Sequence, residues 1–138
     1  MEIAHTPEID WHTDLERLSA LSVRQPWAWL IVSGFKDVEN RSWRTNYRGP
    51  LLIHAGKSRE DMIESDDIEI HYGIKIPENL HFGGVIGVVD VFDCQSSHDS
   101  NWYITGSYAW VLSEPQRLLF RPCKGALGLF RPSFAASA

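Results

Sequence analysis

Residues 21–57 read LSVRQPWAWLIVSGFKDVENRSWRTNYRGPLLIHAGK, and the change of hydrophobic period inside this stretch decides the fold class. Leu21 to Val23 reads as a short strand. Pro26 to Ser33 reads as a helix, with proline suited to the first turn and Gly34 to the left-handed position beyond the end. Trp27, Leu30 and Ile31 share one face of that helix, and Trp29 and Val32 the opposite one. A helix apolar nearly all round is buried on several sides or offers one face to a ligand. Beyond Gly34 the helical period stops. Val38 to Trp43 and Pro50 to Ala55 read as strands joined by the loop Arg44–Gly49.

Outward from this stretch the chain carries no regular strand–helix alternation. Thr6 to Ala20 reads as a helix with Thr6 as cap and Pro7 at its first position. Ser58 to His71 reads as an acidic, mostly exposed helix opened by a capping box of Ser58 and Asp61. Val85 to Phe92 follows the Gly83-Gly84 turn as an apolar strand. Tyr108 to Leu112, Gln116 to Phe120 and Ala126 to Phe130 complete the strands. About six short strands with two or three helices exclude a doubly wound sheet. They predict an α+β fold: a small, mostly antiparallel β-barrel with flanking helices.

With 138 residues, 43% of them hydrophobic, the expectation is one domain, with residues 1–20 as a helical extension and 21–131 as the core. The acidic start MEIAHTPEID is unlike a signal peptide, and no apolar run matches a membrane span, so the expected location is cytoplasmic. Cys94 and Cys123 show no paired spacing and the six histidines are scattered, so no metal or other cofactor is expected.

Charge is unevenly distributed. Residues 21–59 hold seven Lys/Arg against two Asp/Glu, whereas residues 60–80 hold one against seven, in a chain of net charge −5. A local positive field on an acidic body suits a short or single-stranded nucleic acid rather than long duplexes. Alternatively, the two segments neutralise each other in the fold.

Several clusters within this basic stretch can carry chemistry. Arg24 and Gln25 precede the short helix, where a guanidinium and free amides suit a phosphate or a base carbonyl. Gln25 either reads a nucleobase edge or caps the helix. Lys36, Glu39 and Arg41 follow the Gly34 turn. Lys36 meets Glu39 only if it sits in that turn before strand pairing begins, and the pair then exchanges protons or holds an oxyanion. Trp43, Arg44, Tyr47 and Arg48 alternate rings and guanidiniums, a pattern suited to unpaired bases. His54 and Lys57 close the next strand, His54 either reaching the same groove or serving as a core histidine. Lys124 forms a further basic edge or a plain turn.

Residues 21–43, YRGPLLIHA (47–55), GGVIGVVDVFDC (83–94), YAWVL (108–112) and PCKGALGLF (122–130) together resemble the ASCH family, the activating-signal-cointegrator homology domains related to the PUA fold. Small stand-alone bacterial members look most similar. The resemblance implies a PUA-like barrel whose groove beside the short helix faces RNA or a nucleotide. Family activities include RNA or DNA binding, removal of the acetyl group from acetylated cytidine, and ribonuclease action. The amidohydrolases carry G-x-K-T-x-T-x-R where this chain reads G-F-K-D-V-E-N-R. Lys36 and Arg41 match, the catalytic threonine falls on Glu39, and Asp90, Asp93 or Asp99 stand in for a second acid.

The leading expectation is therefore a binder of single-stranded RNA or a nucleotide around Lys36. Arg24, Arg44, Arg48 and Lys57 would take phosphates, and Tyr47 would stack on a base with one exposed tryptophan, Trp27 and Trp43 being the candidates. Metal-independent RNA cleavage would use Glu39 or His54 as base and Lys36 or Arg41 as cation, the ribose hydroxyl being the nucleophile. The alternative is an amidohydrolase of acetylated cytidine in which Glu39 activates water. A third reading is a non-catalytic interaction module. Neither a membrane nor an obligatory protein partner is implied.

Overall fold

The computed structural model describes residues 15–134. The helix expected over Thr6–Ala20 lies mostly outside these residues. In the described part of that span there is a 3-10 turn, Leu15–Arg17, and Ala20 already belongs to a strand. In chain order the elements are β1 (Ala20–Val23), α1 (Trp27–Val32), β2 (Val38–Arg41), β3 (Gly49–Ala55), α2 (Ser65–Tyr72), β4 (Gly84–Gln95), β5 (Tyr108–Pro122) and β6 (Leu129–Phe130). A further 3-10 turn, Glu60–Glu64, leads into α2. Among the described residues no helix is long and apolar enough to cross a membrane.

The strands form one sheet in the order β2-β5-β4-β3-β1-β6. All neighbours are antiparallel except β1 and β3, which run parallel with Ser22 opposite His54. The β4–β5 pairing shifts register at three places, and β3–β4 between Ile53 and His54. Each such bulge bends the sheet and raises its twist, so it curls into the half-barrel of a PUA-like α+β fold. Tyr108–Leu112 and Gln116–Phe120 are not separate strands as expected. They continue as β5 through Glu114, whose φ of 50° turns the strand without ending it.

Helix α1 lies against the concave face. Ala28, Ile31 and Val32 join Leu21, Leu51, Ile53, Val89 and Trp110 in the main core, while Leu30 packs into a second cluster with Ile68 and Ile76. The helix is thus buried on several sides, as its composition implied. Gly87 makes this approach possible, because a Cβ there would fall 2.5 Å from Val32 Cγ1 and 2.6 Å from Gln116 O. Gly34 adopts the left-handed conformation expected of it (φ 87°), and the amides of Phe35 and Lys36 both return to Leu30 O at 3.0 Å. The chain therefore reverses tightly and delivers Lys36 to the foot of β2.

The acidic segment is helical as expected but broken, with Ile68 its buried anchor and Gly73 its left-handed end (φ 69°). The predicted capping box does not form. Ser58 Oγ accepts from Glu60 N at 3.2 Å, and Asp61 instead accepts from Trp27 Nε1 at 3.0 Å.

Candidate functional site

A cavity of about 900 Å³ opens between α1, the start of β2, the segment 61–72 and the loops 101–104 and 126–128. Its floor carries Lys36, Glu39 and Arg41. Lys36 sits in the turn before β2, where the sequence required it to be if it was to meet Glu39. Its Nζ lies 3.4 Å from Glu39 Oε1 and donates to the Val38 carbonyl. Arg41 donates through Nε to Glu39 Oε2 at 2.9 Å and through Nη2 to the Ser22 carbonyl at 2.7 Å. That last bond links the edge strand β2 across the floor to β1, which stands next to the opposite edge of the curled sheet.

Lys36 and Glu39 are only 6% and 8% exposed. Burial pushes the Lys36 ammonium below its ordinary value; the Glu39 carboxylate opposes this, by charge and by hydrogen bond, and Arg41 adds to it weakly. Desolvation outweighs the neighbouring carboxylate because Glu39 is shared with a second cation. A lysine in this setting gives up a proton more readily than a surface lysine does.

The walls came from long-range folding. Trp27 contributes the α1 side, and its neighbour Arg24 lies 3.1 Å from Glu60 and 3.7 Å from Asp61. The 3-10 turn before α2 contributes Glu64, and α2 contributes Asp67, His71 and Tyr72. Tyr72 stacks on Trp102, with centroids 4.0 Å apart and planes 17° from parallel. Asn40 fixes the loop carrying Trp102, donating to Trp102 O and accepting from Ile104 N, each at 2.9 Å. Leu127 stands almost wholly exposed at the mouth. Sequence reasoning missed Tyr72, Trp102 and the α2 acids as wall residues. The one local signal was the aromatic pair in the polar loop Asn101-Trp102-Tyr103.

Five of the sequence candidates therefore meet in one cavity: Arg24, Trp27, Lys36, Glu39 and Arg41. The others lie elsewhere, each for a visible reason. Gln25 is buried outside this cavity, with Oε1 accepting from Trp29 N at 2.9 Å and Nε2 donating to His81 O at 3.0 Å, so its amide caps α1. Trp43 packs edge-on against the core Trp110, with centroids 4.7 Å apart. Tyr47 bonds to the Pro50 carbonyl, and Arg48 folds back onto the carbonyls of Thr45 and Tyr47. Arg44 is exposed on the same loop, away from the cavity.

His54 is also a correction to the expected groove. It is 2% exposed, and its Nε2 lies 2.8 Å from the Cys123 carbonyl, which accepts only. That nitrogen therefore carries the proton, and Nδ1 accepts from Ser22 Oγ at 3.1 Å. Both ring nitrogens thus tie β3 to its neighbours, and His54 does not line the cavity. Lys57 and Lys124 are exposed outside it, and none of Asp90, Asp93 and Asp99 lines it. Asp93 is held below the usual carboxylate range by bonds from Gln95 and the Cys94 amide, far from any role as the cavity's second acid. The further carboxylates at the cavity are Asp61, Glu64 and Asp67. Among the described residues no group of three or more metal-ligating side chains is gathered.

Known proteins share this arrangement of sequence. The ASCH domain model matches residues 21–120. Activating signal cointegrator 1 of Mus musculus is 33% identical over 119 residues, covering 76% of this chain and 20% of that protein. Its Homo sapiens counterpart is 32% identical over 119 residues with the same coverage. The chain thus spans about a fifth of the length of these curated relatives. The matched region begins at β1 and ends within β5, so it contains the whole floor of the cavity, and the chain belongs to the ASCH domain family.

Proposed function

We propose that the protein binds single-stranded RNA by taking one unpaired nucleotide into the cavity above Lys36, Glu39 and Arg41. The observation that carries this reading is a buried, hydrogen-bonding floor enclosed by aromatic walls. A cavity of about 900 Å³ has room for a nucleoside. Trp27 and the Tyr72–Trp102 stack offer π-surfaces, and stacking of unpaired bases on such rings is the common mode of single-strand recognition. The floor presents an ammonium, a guanidinium and a carboxylate, matching a base edge that bears both donors and acceptors. A duplex cannot present a splayed base without unpairing. Fluorescence anisotropy with a labelled single strand and its duplex tests this: the single strand should bind and Lys36→Ala should weaken it. Equal affinity for the duplex would remove base insertion.

The lowered Lys36 ammonium beside Glu39 favours a second, catalytic reading at the same floor. For an acetylated cytidine, Glu39 would take a proton from water as it attacks the amide carbonyl, while Lys36 and Arg41 stabilise the oxyanion; the amine leaves protonated and acetate is the second product. For RNA cleavage, Glu39 would take the ribose hydroxyl proton and the same cations would face the phosphorane. The cavity lining supports Glu39 in either role and gives none to His54. One mass spectrum of an RNA carrying a single acetylated cytidine separates them, with Lys36→Ala alongside. Loss of the acetyl group alone means amide hydrolysis, fragments mean a nuclease, and an intact strand with wild type leaves binding as the function.

A further inference from the structure

Building on that reading, we propose that the ligand is a nucleotide within a chain, its flanking phosphates lying across a basic shoulder formed by Lys57, Arg59 and Lys124. The cavity itself is poorly suited to phosphate. Every lysine and arginine lining it already has a carboxylate partner: Arg24 with Glu60 and Asp61, Lys36 and Arg41 with Glu39. Glu64 and Asp67, by contrast, line the wall with no ion-pair partner among the described residues. A phosphodiester anion entering there would meet that unpaired negative charge. The base can enter, and its phosphates are better placed outside.

The cations that remain without a carboxylate partner, among the described residues, include the three on the shoulder. They come from two distant parts of the chain, 57–59 and 124, and are gathered by the Phe82–Gly83 turn. The Lys57 stem packs over Gly83, its Cε 3.2 Å from where a Cβ would stand, and Gly83 holds φ +79°. The Arg59 guanidinium lies over the Phe82 ring at 4.0 Å, which fixes its plane and leaves its charge intact. Cys123 N donates to Gly83 O at 3.2 Å and so brings Lys124 to the same turn. All three side chains are exposed.

The shoulder adjoins the mouth through the chain itself. Arg59 stands two residues before Asp61, and Lys124 two residues before Ala126, both of which line the cavity. Two trans peptide steps span at most about 7.6 Å, so backbone on each side of the mouth is within reach of a phosphate neighbouring the inserted base. Gly125, between Lys124 and Ala126, packs where a Cβ would lie 2.7 Å from His54 Cε1 and 3.2 Å from Ser22 Oγ, which pins that side of the mouth to the sheet. Lys57, expected from sequence to serve the groove directly, acts here beside it, together with Arg59, which composition did not single out.

The test compares four homopolymeric single-stranded RNA pentamers with the matching free nucleosides by calorimetry at several salt concentrations. The proteins are wild type and a Lys57→Ala, Arg59→Ala, Lys124→Ala triple variant, with melting temperature as the fold control. Three phosphate contacts give a slope of log K against log salt of about −2, so the favoured pentamer should lose about sixteen-fold in affinity from 50 to 200 mM salt. The triple variant should flatten that slope and leave nucleoside binding unchanged. A pentamer no tighter than its nucleoside, or a triple variant with the wild-type slope, would overturn the shoulder while leaving the cavity reading intact. Failure of pentamers and nucleosides alike would overturn the cavity reading, and the shoulder with it.

Discussion

The floor of the cavity and the loop over residues 43–48 come from one basic, aromatic stretch, yet they end in opposite situations. Lys36, Glu39 and Arg41 are drawn into a desolvated network that closes the sheet between β2 and β1. Trp43, Tyr47 and Arg48 stay near the surface and hold their own loop and the Trp110 side of the core. Similar residues therefore line the cavity in one place and support the scaffold in the other. What separates them is topology. β2 is an edge strand, paired only with β5, and its Glu39, Asn40 and Arg41 line the cavity beside α1 while Val38 is buried in the core. The loop crosses the closed side, where carbonyls and Asp93 are at hand.

The strongest way to break this contrast is Glu39→Ala. It leaves the buried Lys36 and the partly buried Arg41 without their carboxylate, which should cost about 3–5 kcal/mol in a urea titration and abolish RNA binding. A loss no larger than that of an exposed ion pair would show that the floor is ordinary surface. Next comes a pair of tryptophans. Trp102→Ala should weaken single-strand binding by about 1–3 kcal/mol, the usual worth of one stacked base. Trp43→Ala should leave affinity alone and lower stability by about 0.5–1.5 kcal/mol through the lost edge-on pair. Reversed effects would move the binding site to the loop.

A finer test uses pH. The Lys36 ammonium is lowered from 10.5 in the folded state, so between its folded value and 10.5 the unfolded chain holds more protons than the folded one. Stability in that window rises with pH, and below it the cost of the buried charge is constant. Wild type should therefore gain on Lys36→Met as pH climbs toward 10.5, measured by paired urea titrations. A pH-independent difference would mean that Lys36 is not desolvated. Smallest of all, Arg48→Ala should change stability by less than about 1 kcal/mol and leave RNA affinity untouched, since its pair with Asp93 is half-exposed and 3.7 Å long.

Much of this was legible from local pattern. The Gly34 turn, the proline-led helix and the end of the helical period beyond Gly34 are each set by residues within a few positions of one another. Lys36, Glu39 and Arg41 could be grouped for the same reason, since a turn followed by a strand brings those positions together without help from the rest of the chain. β5 was split in two because Glu114-Pro115 reads as a turn, whereas Glu114 takes a positive φ and the strand runs on. His54 was ambiguous because a histidine's role depends on what faces its two nitrogens, here Ser22 and a carbonyl 69 residues away.

Local spacing and apolar period were thus enough to name the elements of an α+β barrel and to group the three ions at its floor, which lie close in sequence, whereas the closure of the sheet rests on distant pairings such as Ser22 with His54 and Val38 with Val111. Tertiary structure alone decided which cations stay available. Arg24 is paired by Glu60 and Asp61 from the acidic segment, and Lys57, Arg59 and Lys124 are assembled by a turn at Phe82–Gly83. The charge count along the chain was the same before folding as after it. Coulomb energy falls with distance through space and with solvent screening, neither of which a linear count contains, so only the fold could turn that count into a site.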